Sequence, residues 1–154
     1  MGLREDGGIA ARRLRLLAIW ILALNVVATV VAIVVNLPSQ FGIVGTDASQ
    51  EFLISGTAIS APLLPVVLLA VVAVLADRRD PRGGVGIVAA YLTAVTVAIG
   101  GVGEMVATPT ADTSKGVLVG AGVAWLVVAA ALVAQATLAA TERRSRATAG
   151  SPLS

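Results

Sequence analysis

The chain has 154 residues, of which 57% are hydrophobic, 13% are charged and 3% are aromatic, and its net charge is +2. Soluble domains carry about 25% charged residues, so the composition excludes an ordinary water-soluble fold and indicates an integral membrane protein. The sequence contains no Cys and no His, which excludes thiol nucleophiles, disulfides, Cys/His zinc sites and the most common general base. We therefore predict a protein without enzyme activity, cofactor or metal.

The positive charge is distributed in a way that does not suit nucleic-acid binding. Arginines flank long apolar tracts and lack the interleaved aromatic side chains on which bases stack. The lipid bilayer is the partner that this pattern predicts. Arginine also greatly outnumbers lysine, which together with abundant Ala, Gly and Val is typical of GC-rich bacterial genomes. The predicted location is the inner membrane of a bacterial cell.

Four predominantly apolar tracts have the length needed to cross a membrane, at about residues 16–37, 56–76, 84–106 and 116–141. A helix needs roughly 20 apolar residues to cross a hydrocarbon core of about 30 Å. The tracts are continuously apolar and do not alternate as spanning β-strands would. The sequence therefore predicts an all-α fold: one membrane-embedded four-helix bundle, followed by a disordered tail at about 147–154.

The first tract follows a cluster of arginines, as the hydrophobic region of a signal peptide does. It is longer than the about 7–15 residues of such a region, so we interpret it as an anchor that stays in the protein. Asn25, Thr29 and Asn36 lie on one face of this helix. We interpret this polar seam as interhelical hydrogen bonds, each worth about 0.6 kcal/mol. The alternative is a path for a substrate or an ion.

The second tract contains two prolines, Pro62 and Pro65, in the half nearer its start. Proline inside a helix removes a backbone hydrogen bond and clashes with the preceding turn. We therefore expect this span to be kinked or thinned in its outer half.

The third tract contains a single charged residue, Glu104, after a glycine-rich stretch. Counted from Gly84 at about 1.5 Å per residue, Glu104 lies about 30 Å from the cytoplasmic end and so near the outer interface. We interpret it as a carboxylate at the rim of the bundle, paired with Lys115. The alternative is a proton- or cation-binding carboxylate with Asn25 or Asn36 as neighbours.

Small residues repeat every four positions along the third and fourth tracts. The residues in question are Gly86, Ala90, Ala94 and Ala98 on the third, and Gly116, Gly120 and Ala124 on the fourth. Such patterns allow helix backbones to pack in contact, and a short turn joins the two tracts. We expect a tight antiparallel pair of helices, while the same surfaces are also suited to homodimerisation.

The orientation follows from the basic residues. Of the 11 Lys and Arg, all except Lys115 lie before the first tract, between the second and third, or after the fourth. Because positive residues in short loops are retained on the cytoplasmic side, both termini are predicted to be cytoplasmic. The main functional hypothesis is a non-enzymatic subunit, adaptor or oligomerising protein that acts through helix contacts. The alternative hypothesis is a small transporter or channel component that uses Glu104 and the Asn25–Asn36 seam.

Overall fold

The computed structural model describes residues 8–35, 63–108 and 114–149. Within these ranges the chain forms four helices, α1 (Ile9–Val35), α2 (Leu63–Leu75), α3 (Pro81–Val106) and α4 (Lys115–Ala149). Three of them, α1, α3 and α4, are long and apolar enough to cross a membrane, whereas α2 has 13 residues. The prediction of an all-helical fold is confirmed.

The helices pack in a ring. Each helix contacts its neighbours in sequence, and α1 closes the ring against α4, while the contact between α3 and α4 is the most extensive. In the part of the chain that the structure describes, α1 does not pack against α3, nor α2 against α4. Hydrogen bonds between them show that the start of α1, the turn after α2 and the last turns of α4 meet at one end of the ring.

The core is made mainly of small and branched apolar side chains on the inner faces. Fully buried residues include Leu14, Ala18, Leu69, Val72, Ala90, Leu132 and Ala136. Alanine lets helix axes approach closely, and the leucines fill the remaining space between them. The outer faces are also apolar, with valine, leucine and isoleucine exposed along α1, α3 and α4.

The start of α3 is determined by its cap. Asp80 has an extended backbone and its side chain accepts a hydrogen bond from the Arg82 amide at 3.0 Å, while Pro81 occupies the first helical position. Both choices favour a helix start. The helix thus begins three residues before the predicted boundary at residue 84.

The ends of the other helices also differ from the sequence boundaries. α1 begins at Ile9, seven residues before the predicted span at residue 16, and it includes the arginine cluster. α4 continues to Ala149, so residues 147–149 are helical although the sequence places them in a disordered tail. Residues 150–154 lie outside the described residues.

The second helix is only partly described. Residues 56–62, which include Pro62, lie outside the described ranges. Pro65 is the third residue of the described helix, and it is buried. At about 1.5 Å per residue, the described part of α2 is about 20 Å long.

Candidate functional site

Glu104 is placed in the last turn of α3 and is buried, with 4% of its surface exposed. It lies on the same face as Thr93, Val97 and Gly101, all of which are buried. Among the described residues its carboxylate has no hydrogen bond and no ion pair in the structure. A carboxylate enclosed in this way differs from the solvated rim residue that we expected.

Lys115 does not neutralise this carboxylate. Its ammonium group donates hydrogen bonds to the carbonyl oxygens of Met105 at 2.7 Å and Ala107 at 3.0 Å. These carbonyls end α3 and have no partner within the helix, so the lysine caps the helix and complements its dipole. The expected ion pair between Glu104 and Lys115 is therefore not formed.

Next to Glu104, the backbones of α3 and α4 come into direct contact. A Cβ atom added to Gly101 would lie 2.8 Å from the Gly122 carbonyl oxygen, and one added to Gly122 would lie 2.5 Å from the Gly101 carbonyl oxygen. Real Cβ atoms essentially never approach oxygen this closely. The two glycines are thus the residues that allow α3 and α4 to pair tightly at this level.

The interhelical hydrogen bonds predicted for the polar seam of α1 are not formed by Asn25 and Thr29 in the described structure, where these residues bond to each other within α1. Asn25 is buried, with 4% of its surface exposed, and the Thr29 hydroxyl donates to its carbonyl oxygen at 2.8 Å. The Asn25 side-chain nitrogen has no hydrogen-bond partner in the described structure. Asn36 lies outside the described residues.

Asn25 and Glu104 are not brought together by the described helices. They lie on α1 and α3, which do not pack against each other. With a rise of about 1.5 Å per residue, Asn25 lies about 24 Å from the start of α1 and Glu104 about 35 Å from the start of α3. The two polar groups therefore occupy different levels of the bundle.

The two small-residue stripes have different positions. On α3, Gly86, Ala90 and Ala94 are buried and Ala98 is half-buried, and Gly86 touches the backbone at the end of α2. On α4, Gly116, Gly120 and Ala124 are exposed in the single chain. The buried face of α4 consists instead of Gly122, Ala129, Leu132, Ala136 and Ala139. The antiparallel pair of α3 and α4 is formed, but through other residues of α4.

The arginine-rich end of the bundle contains an interhelical ion pair. Arg15 of α1 donates to the Asp77 carboxylate after α2, with Nη1 and Oδ2 3.4 Å apart. Asp77 is 9% exposed, and both its second oxygen and Arg15 Nε lack a described partner. This pair joins the first two helices.

Arg143 connects α4 to the turn between α2 and α3. Its guanidinium donates to the backbone carbonyl oxygens of Arg78 at 2.6 Å, Arg79 at 3.3 Å and Asp80 at 2.8 Å. Gly83 makes room for it, since an added Cβ would collide with the Arg78 carbonyl and the Arg143 guanidinium. We refer to these contacts as the Arg143 clamp.

Glu142, beside this clamp, caps another helix. Its carboxylate accepts a hydrogen bond from the Ala10 amide of α1 at 3.1 Å, which satisfies one of the unpaired amides at that helix start and complements the helix dipole. The last turns of α4 therefore hold both α1 and the α2–α3 turn. This explains why α4 remains helical beyond the predicted span.

Replacing Arg143 with glutamine should destabilise the fold by about 1–2 kcal/mol, because three hydrogen bonds from a charged donor are lost at a partly exposed site. Arg144 is the matched control, since its exposed side chain makes no described contact; its replacement should change stability by less than about 0.5 kcal/mol. Chemical unfolding of the purified variants in detergent measures both. Equal stabilities for the two variants would show that the clamp does not hold the end of the bundle.

Sequence reasoning missed Asp77, Glu142 and Arg143 as structural residues, because charges at the ends of apolar tracts were interpreted only as topology signals. Gln135 of α4 was also missed, and its side-chain oxygen is buried without a described partner. The spacing of Arg143 from the α2–α3 turn, more than 60 residues along the chain, carries no local signal. Only the fold brings these groups together.

Together, the fold and these contacts define an all-helical protein with three helices that could cross a membrane and with polar groups turned inward at both ends. No family model matches the chain, and neither a curated protein nor a solved structure shows significant similarity to it.

Proposed function

We propose that the chain is a bacterial inner-membrane protein that crosses the bilayer four times, with both termini in the cytoplasm. The apolar outer faces of α1, α3 and α4 support this proposal, because such surfaces suit lipid and not water. Every arginine in the described ranges lies at the end where α1 begins and α4 ends, and Lys115 lies at the other. This asymmetry fits the retention of positive residues in the cytoplasm. In this proposal, α2 and the residues before it form the fourth span.

Within the membrane, we infer a non-enzymatic role as a subunit, adaptor or homo-oligomer that acts through helix contacts. The observation that supports this role is the exposed stripe of Gly116, Gly120 and Ala124 on α4. A Cβ added to Gly120 would meet nothing within 4 Å. Lipid does not require small residues on a helix face, whereas a partner helix packed backbone to backbone does. The stripe thus suits a second copy or another membrane subunit.

Substitution of Gly120 by leucine tests this role. A leucine there would separate a partner helix by several ångström without disturbing the single chain, so the oligomer fraction should fall by at least about tenfold. Gly100→Leu is the matched control, since it also adds a side chain where nothing lies within 4 Å but on α3. Single-molecule photobleaching in lipid bilayers counts the copies in each complex.

The expected result is an oligomer for the wild type and the Gly100→Leu variant and a monomer for Gly120→Leu. A wild type that is monomeric and co-purifies with no other membrane protein would contradict the proposed role. Persistence of the oligomer in the Gly120→Leu variant would show that the stripe is not its interface.

A second candidate function is transport of protons or cations, and the burial of Glu104 without a described partner favours it. An ionisable group enclosed within a membrane protein is costly and is commonly retained for ion or proton binding. Lys115 binds the carbonyl oxygens at the end of α3 and not the Glu104 carboxylate, so this carboxylate is available to bind a cation.

Glu104→Gln should abolish proton or cation flux into liposomes that contain the wild-type chain, if Glu104 is the binding group. Asp80→Asn serves as the control, because it also removes a carboxylate but keeps a good helix cap at the opposite end. Dye-detected flux measures the difference. Absence of flux with the wild type, or equal flux with Glu104→Gln, would exclude this function.

A further inference from the structure

A cleft of about 450 Å³ opens at the arginine-rich end of the bundle. It lies where the residue before α1, the turn between α2 and α3 and the last turns of α4 come together. The described residues that line it are Gly8, Arg78, Arg79, Arg143, Arg146 and Ala147. Four of these six carry a guanidinium group, although they come from parts of the chain that are far apart in sequence.

Arg146, one of the four arginines of this cleft, has an acidic neighbour on α4. Glu142 pairs with Arg146 at 3.9 Å, and both side chains are substantially exposed. Arg143 is fixed by three backbone carbonyls, which position its guanidinium and leave its charge in place. Guanidinium groups present a planar fork of N–H donors that matches the oxygens of a phosphate. The cleft is therefore suited to a phosphate-bearing anion.

A second groove, of about 480 Å³, lies between α1 and α4, and Arg146 lines both this groove and the cleft. Its apolar lining consists of Ile9, Ala10 and Leu138. Its polar and charged lining consists of Arg13, Gln135, Thr141, Glu142, Ser145 and Arg146. Arg146 belongs to both spaces, so an anion in the cleft has an apolar surface next to it. A free phosphate ion would leave that apolar surface uncovered. The glycerol and first acyl carbons of a lipid would pack against it.

We propose that the cleft binds the phosphate of an anionic phospholipid, with the apolar part of the lipid in the groove between α1 and α4. The proposal rests on the membrane insertion inferred above, because it places this end at the level of the cytoplasmic headgroups. It goes beyond the general attraction of basic residues to anionic membranes, since it assigns binding to particular arginines and not to the total charge.

The test is a titration of the full-length chain in neutral detergent with phosphatidylglycerol or phosphatidylcholine, followed by native mass spectrometry of the lipid-bound species. The test variant is Arg78→Gln with Arg146→Gln, which removes two cleft cations but leaves the Arg143 clamp. The control is Arg12→Gln with Arg144→Gln, which removes the same charge from exposed positions at the same end that line neither space. Circular dichroism establishes that each variant retains its helix content.

We expect the wild type to prefer phosphatidylglycerol and the cleft variant to bind it at least about tenfold more weakly, with binding of phosphatidylcholine unchanged. The control should lose less than about threefold. The charge-retaining variant with Arg78→Lys and Arg146→Lys should recover part of the affinity, because lysine keeps the charge but not the fork. Equal losses in the cleft variant and the control, or no preference of the wild type for the anionic lipid, would overturn the proposal.

Inorganic phosphate provides the arm that distinguishes a lipid from a soluble ligand. If phosphate alone displaces phosphatidylglycerol at equal concentration, and does so only when Arg78 and Arg146 are present, the ligand is a soluble anion and the lipid assignment is wrong. Alkaline carbonate extraction of cell membranes separately tests insertion. A chain released by carbonate would contradict the proposed membrane function, while the lipid titration would still report on the cleft.

Discussion

Replacing Gly122 with alanine is expected to destabilise the bundle by about 1–3 kcal/mol, the usual cost of overpacking a close contact. The added Cβ would lie 2.5 Å from the Gly101 carbonyl oxygen and would also collide with the Met105 side chain. The methionine side chain can move, but the oxygen is part of the α3 backbone. The two helices must therefore separate, and α3 and α4 form the most extensive contact in the fold.

Gly84 and Gly100 provide internal controls for this prediction. A Cβ added at either position would meet nothing within 4 Å, and neither residue belongs to the small-residue stripe of α4. Alanine at either position should therefore stabilise α3 by about 0.5–1 kcal/mol through backbone entropy. Unfolding in a mixed-detergent titration compares the three variants. If Gly122→Ala were as stable as Gly100→Ala, the backbone contact between α3 and α4 would be refuted.

Removing the charge of Asp77 is expected to cost about 1–3 kcal/mol. The residue is 9% exposed and its partner Arg15 is 36% exposed, which places the pair between a fully buried one, where breaking costs about 3–5 kcal/mol, and a surface pair of about 0.2–1 kcal/mol. Asp77→Asn leaves the Arg15 guanidinium without a countercharge between α1 and α2. Adding Arg15→Gln to the Asp77→Asn variant also removes this positive charge.

A double-mutant cycle measures this interaction as a coupling energy. The combined Arg15→Gln and Asp77→Asn variant should be more stable than the sum of the single effects predicts, by about 1–2 kcal/mol. The exposed pair of Glu142 and Arg146, at 3.9 Å, is the comparison and should couple by less than about 0.5 kcal/mol. A coupling for Arg15 and Asp77 no larger than this would mean that the pair does not join the two helices.

The all-helical architecture was predictable because hydrophobic length alone decides it. Continuous apolar tracts such as residues 84–106 and 116–141 admit no other regular structure at that length, and both fall within observed helices. The helix ends were less predictable, since they depend on local caps and on distant partners. Asp80 followed by Pro81 is a helix-start signal that is visible in the sequence. The extension of α4, in contrast, depends on carbonyl groups more than 60 residues away.

The contact face of α4 illustrates the limit of pattern reasoning. Gly116, Gly120 and Ala124 form a regular small-residue repeat, yet the packed face contains Gly122 and Ala129. In a helix with so many small residues, several faces satisfy the same pattern, and only the position of α3 decides among them. The environment of Glu104 likewise depends on which groups the Lys115 ammonium binds. The spacing of the two residues in the sequence does not specify this.

Cysteine labelling in intact cells reports directly on which side of the membrane each end of α4 lies, since the sequence has no Cys. Ser114→Cys lies before α4 and Ser145→Cys lies in its last turns, and both positions are exposed. A membrane-impermeant thiol reagent should label position 114 from outside, and position 145 only after the cells are permeabilised. Labelling of position 145 in intact cells, with position 114 protected, would contradict a membrane bundle whose termini are cytoplasmic.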